Sequence, residues 1–219
     1  MEVGIVGGTG ALGGGLARRW LLAGVDVRLG SREAARGEAA AAQLRADLPD
    51  APGQVSGVDN VGACAAPIVV LAVPYGGLDA VLAPLADAVD GRIVVSAVNP
   101  LAFDGDGPYN AVVPEGSVAQ ACAARLPGAR MTAAFHSVSS RELAHTERPL
   151  DDDVLVVGDD AEAVDAVVAL ADLLDGVRAY PAGALRLATP LEGLTAVIIA
   201  VNKRHKTHAG LRLSRLTVD

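Results

Sequence analysis

The chain has 219 residues, a formal net charge of −8, 51% hydrophobic residues and only 3% aromatic ones. That length makes one large domain, or one domain with an appendage, around a core of Ala, Val and Leu. The acidic balance argues against nonspecific nucleic-acid binding, and the longest apolar runs are far shorter than the roughly 20 residues that cross a bilayer. Met1 runs straight into a predicted strand with no basic segment before it, and Cys64 and Cys122 lack metal or redox spacing. The expectation is a cytoplasmic protein with buried thiols, no metal site and no membrane association.

In chain order, Val3 to Val6 reads as a strand, and Gly8, Gly10 and Gly13 follow at G-x-G-x-x-G spacing. An amphipathic stretch with Leu16, Trp20 and Leu21 closes at Gly24, and a second apolar run, Val25 to Leu29, ends in Gly30-Ser31-Arg32. The glycine spacing is weak alone and strong when it opens a helix directly after a strand inside a βαβ unit. Its glycines make a tight turn, let the backbone approach a pyrophosphate, and let helix pack on strand. The pyrophosphate then sits on the free N–H groups of the helix N-terminus, with the Thr9 hydroxyl nearby. At the end of the second strand an NAD site usually places Asp or Glu. This chain has Ser31, Arg32 and, one helical turn on, Arg36, while an acid comes only at Glu33. A planar guanidinium fork suits a 2′-phosphate, so the reading is NADP(H). The competing reading makes Ser31 a helix cap and Arg32 a solvated charge.

Ser31 to Leu48 then predicts a helix, Gln54 to Gly57 a weak strand, Asn60 to Ala66 a short helix and Pro67 to Val73 a buried parallel strand. Pro74-Tyr75-Gly76-Gly77 is a loop, Leu78 to Val89 a helix, and Arg92 to Ser96 another strand, followed by Val98-Asn99-Pro100. Residues 102–115 read as a long loop. Ser117 to Leu126 is a helix, and Ala129 to Ala134 leads to Phe135-His136. Asp153 to Val157 is a strand, Glu162 to Leu174 a helix and Val177 to Tyr180 a final strand. From Gly183 the alternation stops, and Thr189 to Asn202 predicts an apolar helix packed on the sheet. Repeated βα units imply a Rossmann-type α/β fold, a doubly wound, mostly parallel sheet with a small C-terminal helical appendage. Ligands bind there beyond the carboxyl ends of the strands. Arg32, Pro74-Tyr75, Asn99-Pro100 and His136 all follow strands and are expected to converge on one crevice.

The basic residues are unevenly spread. The two lysines, Lys203 and Lys206, sit with Arg204, His205 and His208 near the end of the chain. This is either a solvated helix end, where cations suit the dipole, or an anion site.

The glycine motif, Gly30-Ser31-Arg32 with Arg36, Val73-Pro74-Tyr75, Val98-Asn99-Pro100, the Phe135-His136 pair and the terminal Lys-Arg-x-Lys-x-His-Ala-Gly-Leu-Arg together resemble the F420-dependent NADP oxidoreductases over nearly the whole chain. Such enzymes move a hydride between NADP(H) and the deazaflavin of coenzyme F420. The resemblance implies that Thr9, Gly10, Ala11 and Leu12 hold the pyrophosphate, and that Ser31, Arg32 and Arg36 hold the 2′-phosphate. Tyr75, which stands where the family often has Trp, would line the nicotinamide side with Asn99 and Ser140. His136 would lie near the deazaflavin as a positioning group. Residues 1–182 would bind NADP and residues 183–219 would close the F420 cavity, with Lys203, Arg204 and Lys206 meeting the anionic tail. A homodimer is expected on base rates. Rival readings on the same scaffold are an NADPH-dependent imine or carbonyl reductase, with His136 or Tyr75 as proton donor, and a non-catalytic NADP(H) sensor.

Overall fold

A computed structural model describes residues 1–216, so the last three residues of the expected 183–219 appendage lie outside the described ones. The strands among the described residues are β1 (Glu2–Val6), β2 (Asp26–Ser31), β3 (Val55–Asp59), β4 (Ile68–Leu71), β5 (Ile93–Ser96), β6 (Leu101–Asp104), β7 (Gly107–Asn110), β8 (Arg130–Ala133), β9 (Asp152–Gly158) and β10 (Val177–Pro181). Eight helices join them: α1 (Ala11–Leu22), α2 (Ala34–Asp47), α3 (Asn60–Ala63), α4 (Leu78–Leu82), α5 (Val118–Arg125), α6 (Ser140–Ala144), α7 (Ala161–Asp172) and α8 (Ala188–His205). The main sheet runs β10-β9-β8-β5-β4-β1-β2-β3. Its ladders are parallel except β8–β9, which is antiparallel. This is the expected Rossmann-type sheet. Its strand order reverses between β1 and β4, where such sheets open a crevice.

Helices cover both faces of the sheet. On one face α1 buries Leu16, Ala17, Trp20 and Leu21 against β1 and β2. The Trp20 ring meets the edge of Phe135 at 5.7 Å and 81°, and its indole N–H donates to the carbonyl of Leu170 at 3.0 Å. One buried side chain thus joins α1, the segment after β8 and α7. The other face is filled from Leu71, Leu82, Leu85, Val94 and Leu126. Arg19, 5% exposed, donates to the carbonyls of Leu143, Glu142, His145 and Arg148. It supplies the polar partners that the irregular chain between β8 and β9 lacks in itself.

The structure corrects several sequence-based expectations. Residues 102–115 are not an open loop: most of β6 and all of β7 lie there, paired as an antiparallel hairpin. Its turn is built by Asp104 Oδ1, which accepts the N–H groups of Asp106 and Gly107 at 2.9 and 3.1 Å. The same Asp and Gly residues that read as loop are those a tight turn requires. The helix expected over 78–89 ends early, with α4 passing into a 3₁₀ turn over Ala83–Leu85 at Pro84, where proline removes a donor. The second strand runs on through Ser31, so α2 begins at Ala34 rather than Ser31. The short helix α6 had no predicted counterpart.

The C-terminal helix is longer than its sequence reading, spanning Ala188–His205 rather than Thr189 to Asn202. Leu185–His205 is long and apolar enough, by length and composition, to cross a bilayer, with a mean hydropathy of 1.3. Gly193, Thr195 and Asn202 break the apolar run in sequence without breaking the helix. Along α8 only Ala188, Glu192 and Ala196 are buried, and Val197 and Val201 face outward.

Candidate active site

A cleft of about 620 Å³ opens at the carboxyl ends of β1, β2 and β4. Its floor is the glycine turn. The Gly8 N–H donates to Gly30 O at 2.8 Å, the Gly10 N–H to Gly7 O at 3.0 Å and the Gly14 N–H to Gly10 O at 2.8 Å. Gly7 sits at φ +77°, where a Cβ would also lie 2.7 Å from the Ala72 carbonyl. A Cβ on Gly13 would lie 2.8 Å from the Gly8 Cα, which explains the spacing of the motif. Gly10 is the N-cap of α1 and gives no side-chain bond, and the first turn carries no acid. The N–H groups of Ala11, Leu12 and Gly13 are therefore left for an anion.

Thr9, Gly10, Ser31, Arg32, Arg36 and Pro74 all line this cleft. Ser31 is 4% exposed and does not cap α2, whose N-cap is Glu33. Arg32 and Arg36 enter no ion pair among the described residues, so two unpaired cations line the cleft. Gly8 and Gly13 lie beneath the turn and shape it. The donor set therefore fits a dinucleotide with an additional phosphate: backbone N–H groups for the pyrophosphate, then a hydroxyl and two guanidinium groups.

Asn99, Pro100, His136, Ser140 and Tyr75 do not line that cleft; the expected single crevice is divided. Tyr75 begins a 3₁₀ turn and, partly buried, packs against the core. Pro100 is buried and its carbonyl accepts the Ala111 N–H at 2.7 Å, bracing the hairpin. Ser140 opens α6, which Ser139 caps. Asn99 Nδ2 donates to the His136 carbonyl at 3.1 Å, and Thr195 Oγ1 lies 2.8 Å from that carbonyl and 3.1 Å from Asn99 Oδ1. Three distant parts of the chain are fastened at one point.

His136 is buried, and burial lowers its pKa to about 4, so the ring is neutral near pH 7. Its Nε2 has no partner among the described residues. The preceding Phe135 holds φ +67°, a left-handed conformation costly for an aromatic residue, on the order of 1–3 kcal/mol. Beside the ring lies a small pocket of about 10 Å³, lined by Leu155, Leu191, Leu194 and Leu211. Leu211 comes from the chain after α8, which is strapped to β9. The Asp153 N–H donates to Leu211 O at 2.7 Å, and the Leu211 N–H donates to Asp152 Oδ1 at 3.0 Å. Asp153, fully buried, also pairs with Arg178 at 2.9 Å.

The basic cluster is spread out. Lys203 and Arg204 lie exposed in the last turn of α8, and Lys206 follows as its left-handed cap at φ 51°. Lys206 borders a separate cavity of about 430 Å³ with Arg148 and His208, but also with Glu142, Asp151 and Asp152. Two residues escaped the sequence reading. Asn60 lines the cleft, and its Oδ1 accepts the Gly7 N–H at 3.2 Å. It follows a strand end, the criterion that found the others. Thr195 carried no signal beyond one hydroxyl in an apolar helix.

The sheet order, the glycine turn and the paired cations together define a dinucleotide-binding protein of the Rossmann type. The family model described as NADP oxidoreductase, coenzyme F420-dependent, matches residues 2–100. The chain is 34% identical to the F420-dependent NADP reductase of Methanothermobacter thermautotrophicus, over 99% of this chain and 96% of that one. It is also 34% identical to the F420-dependent NADP reductase of Methanocaldococcus jannaschii over the full length of both. A crystal structure assigned as an F420-dependent NADP-reductase of Arthrobacter sp. FB24 superposes with a TM-score of 0.75 at 26% identity, covering 95% of this chain and 96% of that one. The chain belongs to the family of F420-dependent NADP reductases.

Proposed function

We propose that the protein transfers a hydride between NADP(H) and coenzyme F420. The observation that carries this reading is the cleft: a glycine turn and free helix N-terminus continuous with Ser31, Arg32 and Arg36, in a chain related end to end to F420-dependent NADP reductases. The two coenzymes supply the redox chemistry when bound; the protein's task is to hold two rings face to face, where orientation alone gives large effective molarities. Thr9 and the N–H groups of Ala11, Leu12 and Gly13 hold the pyrophosphate, and Gly10, with no side chain, lets it approach. Ser31, Arg32 and Arg36 hold the 2′-phosphate. Pro74 lines the cleft toward the nicotinamide end, and the adjoining Tyr75, partly buried against the core, supports it. Asn99 acts there through the His136 carbonyl it holds, and Ser140 lines that side from the first turn of α6. His136, neutral and with Nε2 free to hydrogen bond, positions the deazaflavin ring rather than shuttling a proton.

The strap after α8 is the cover of the deazaflavin site. A cavity of about 10 Å³ is far too small for a tricyclic ring, so Leu211 and its neighbours shift to admit it. Lys203, Arg204 and Lys206 border the way in for an anionic tail. The enzyme works as a homodimer in the cytoplasm. The outward apolar flank of α8, with Val197 and Val201, and the exposed Phe103 and Tyr109 of the hairpin that α8 packs against support the dimer, because contiguous exposed apolar surface marks an interface. The buried unpaired thiols of Cys64 and Cys122 fit a reducing compartment.

The test is to mix the protein with NADPH and oxidised F420 and follow the deazaflavin's visible absorbance. Rapid bleaching with NADPH and slow bleaching with NADH is the expected result. No bleaching while NADPH still binds overturns the F420 assignment and points to an imine or carbonyl reductase.

A further inference from the structure

We propose that Asp59 selects the base of the dinucleotide by accepting a hydrogen bond from the exocyclic amine of adenine. The inference rests on the proposed binding of NADP(H) in the cleft. Asp59 ends β3 and pairs in register with Ser31 of β2, so its carboxylate stands one strand outward from the 2′-phosphate end. It lines the cleft together with Val61, Ala80, Val81 and Pro84. Those four apolar side chains, from α3 on one side and from α4 and the turn after it on the other, form walls suited to a flat ring. A carboxylate in such a place cannot serve the phosphate, which it repels.

It can serve the base. Asp59 Oδ1 is spent capping α3, accepting the Gly62 N–H at 2.6 Å. Oδ2 makes no hydrogen bond among the described residues, and a carboxylate has acceptor sites to spare. The other acceptor there, Asn60 Oδ1, is engaged by the Gly7 N–H. A base edge that meets Oδ2 must therefore donate. Adenine presents an amino group at its six position; hypoxanthine presents a carbonyl oxygen there, which the carboxylate repels, and its own donor, N1–H, lies one ring position away, so an Oδ2 that faces the six position favours adenine.

The experiment measures binding of NADPH and of its deamino analogue, the hypoxanthine dinucleotide phosphate, by nicotinamide fluorescence without F420. The wild-type protein is expected to prefer NADPH by about tenfold or more, as a charge-assisted hydrogen bond allows. Asp59→Asn keeps a side-chain acceptor for the Gly62 cap and gains a donor that can meet the carbonyl, so its preference falls to within about twofold. A folded Asp59→Asn protein, checked by its thermal transition, that weakens both ligands equally and keeps the ratio overturns the proposal. So does a wild type that binds both alike. Absence of any NADPH binding removes the underlying reading as well, whereas a wild type that binds both nucleotides alike and still bleaches F420 with NADPH loses only the role of Asp59.

Discussion

The Glu192 carboxylate of α8, 1% exposed, accepts the Val118 N–H at 2.9 Å, and its second oxygen accepts the neighbouring Ala119 N–H at 3.0 Å. A side chain seventy-four residues away thus completes the N-terminus of α5 and pins the C-terminal helix to the sheet domain. One turn further on, Thr195 touches Asn99 and His136, so the pin sets the position of α8 over the site.

Burial pushes the Glu192 pKa up to about 7 from 4.5, against the pull of its two N–H donors. A folded-state pKa above the unfolded one means that the native state binds the extra proton, so this group lowers stability as pH rises from about 4.5 to about 7. Glu192→Gln removes that dependence. Denaturant unfolding of both proteins across this range should show the difference shifting toward the variant by up to about 3 kcal/mol. A constant difference would mean that the helix N-terminus keeps the carboxylate ionised throughout.

His136 acts in the opposite sense. Its pKa falls from 6.5 to about 4 because the ring is buried. The unfolded chain then binds the proton more readily, and stability is lost as pH drops from about 6.5 to about 4, by up to about 3 kcal/mol. His136→Asn should flatten this loss and reduce kcat with F420 by roughly tenfold, the scale of one hydrogen bond. Complete loss of turnover in a stable variant would assign the ring a proton-transfer role instead.

Arg32→Ala should weaken NADPH binding by about 10- to 100-fold, as expected for lost charge-assisted bonds, and leave NADH within about twofold. Titration with both nucleotides checks this. Equal losses would remove Arg32 from the 2′-phosphate.

Thr195→Val keeps the shape of the side chain and deletes its hydroxyl. It leaves Asn99 Oδ1 and the His136 carbonyl each short of one contact, a cost of about 1–3 kcal/mol. The readout is the split of kinetic constants: kcat with F420 should fall several-fold while KM for NADPH stays unchanged. A change in both would make Thr195 a general support of the fold.

Tyr75 and His136 show where sequence reasoning reached its limit. Both follow strands, as expected, yet Tyr75 packs on the core and His136 lines a separate small pocket rather than the cleft. A strand end locates a residue on the correct edge of the sheet; the direction of its side chain depends on the segment packed against it. The loop expected at 102–115 failed for a related reason, since the same turn residues serve open loops and hairpins.

What the sequence by itself determined is the dinucleotide half. Strand, glycine turn, helix, strand and Arg32 are contiguous, and each is set by local backbone freedom, apolar periodicity and the free donors of a helix end. What only the tertiary structure decided is the other half: Arg19 gathering four carbonyls, Asp152 and Asp153 strapping the chain after α8, and Thr195 meeting Asn99 and His136. Those partners are separated by tens of residues, and each bond exists because burial leaves a polar group that some distant segment must satisfy. No local pattern encodes which segment that is.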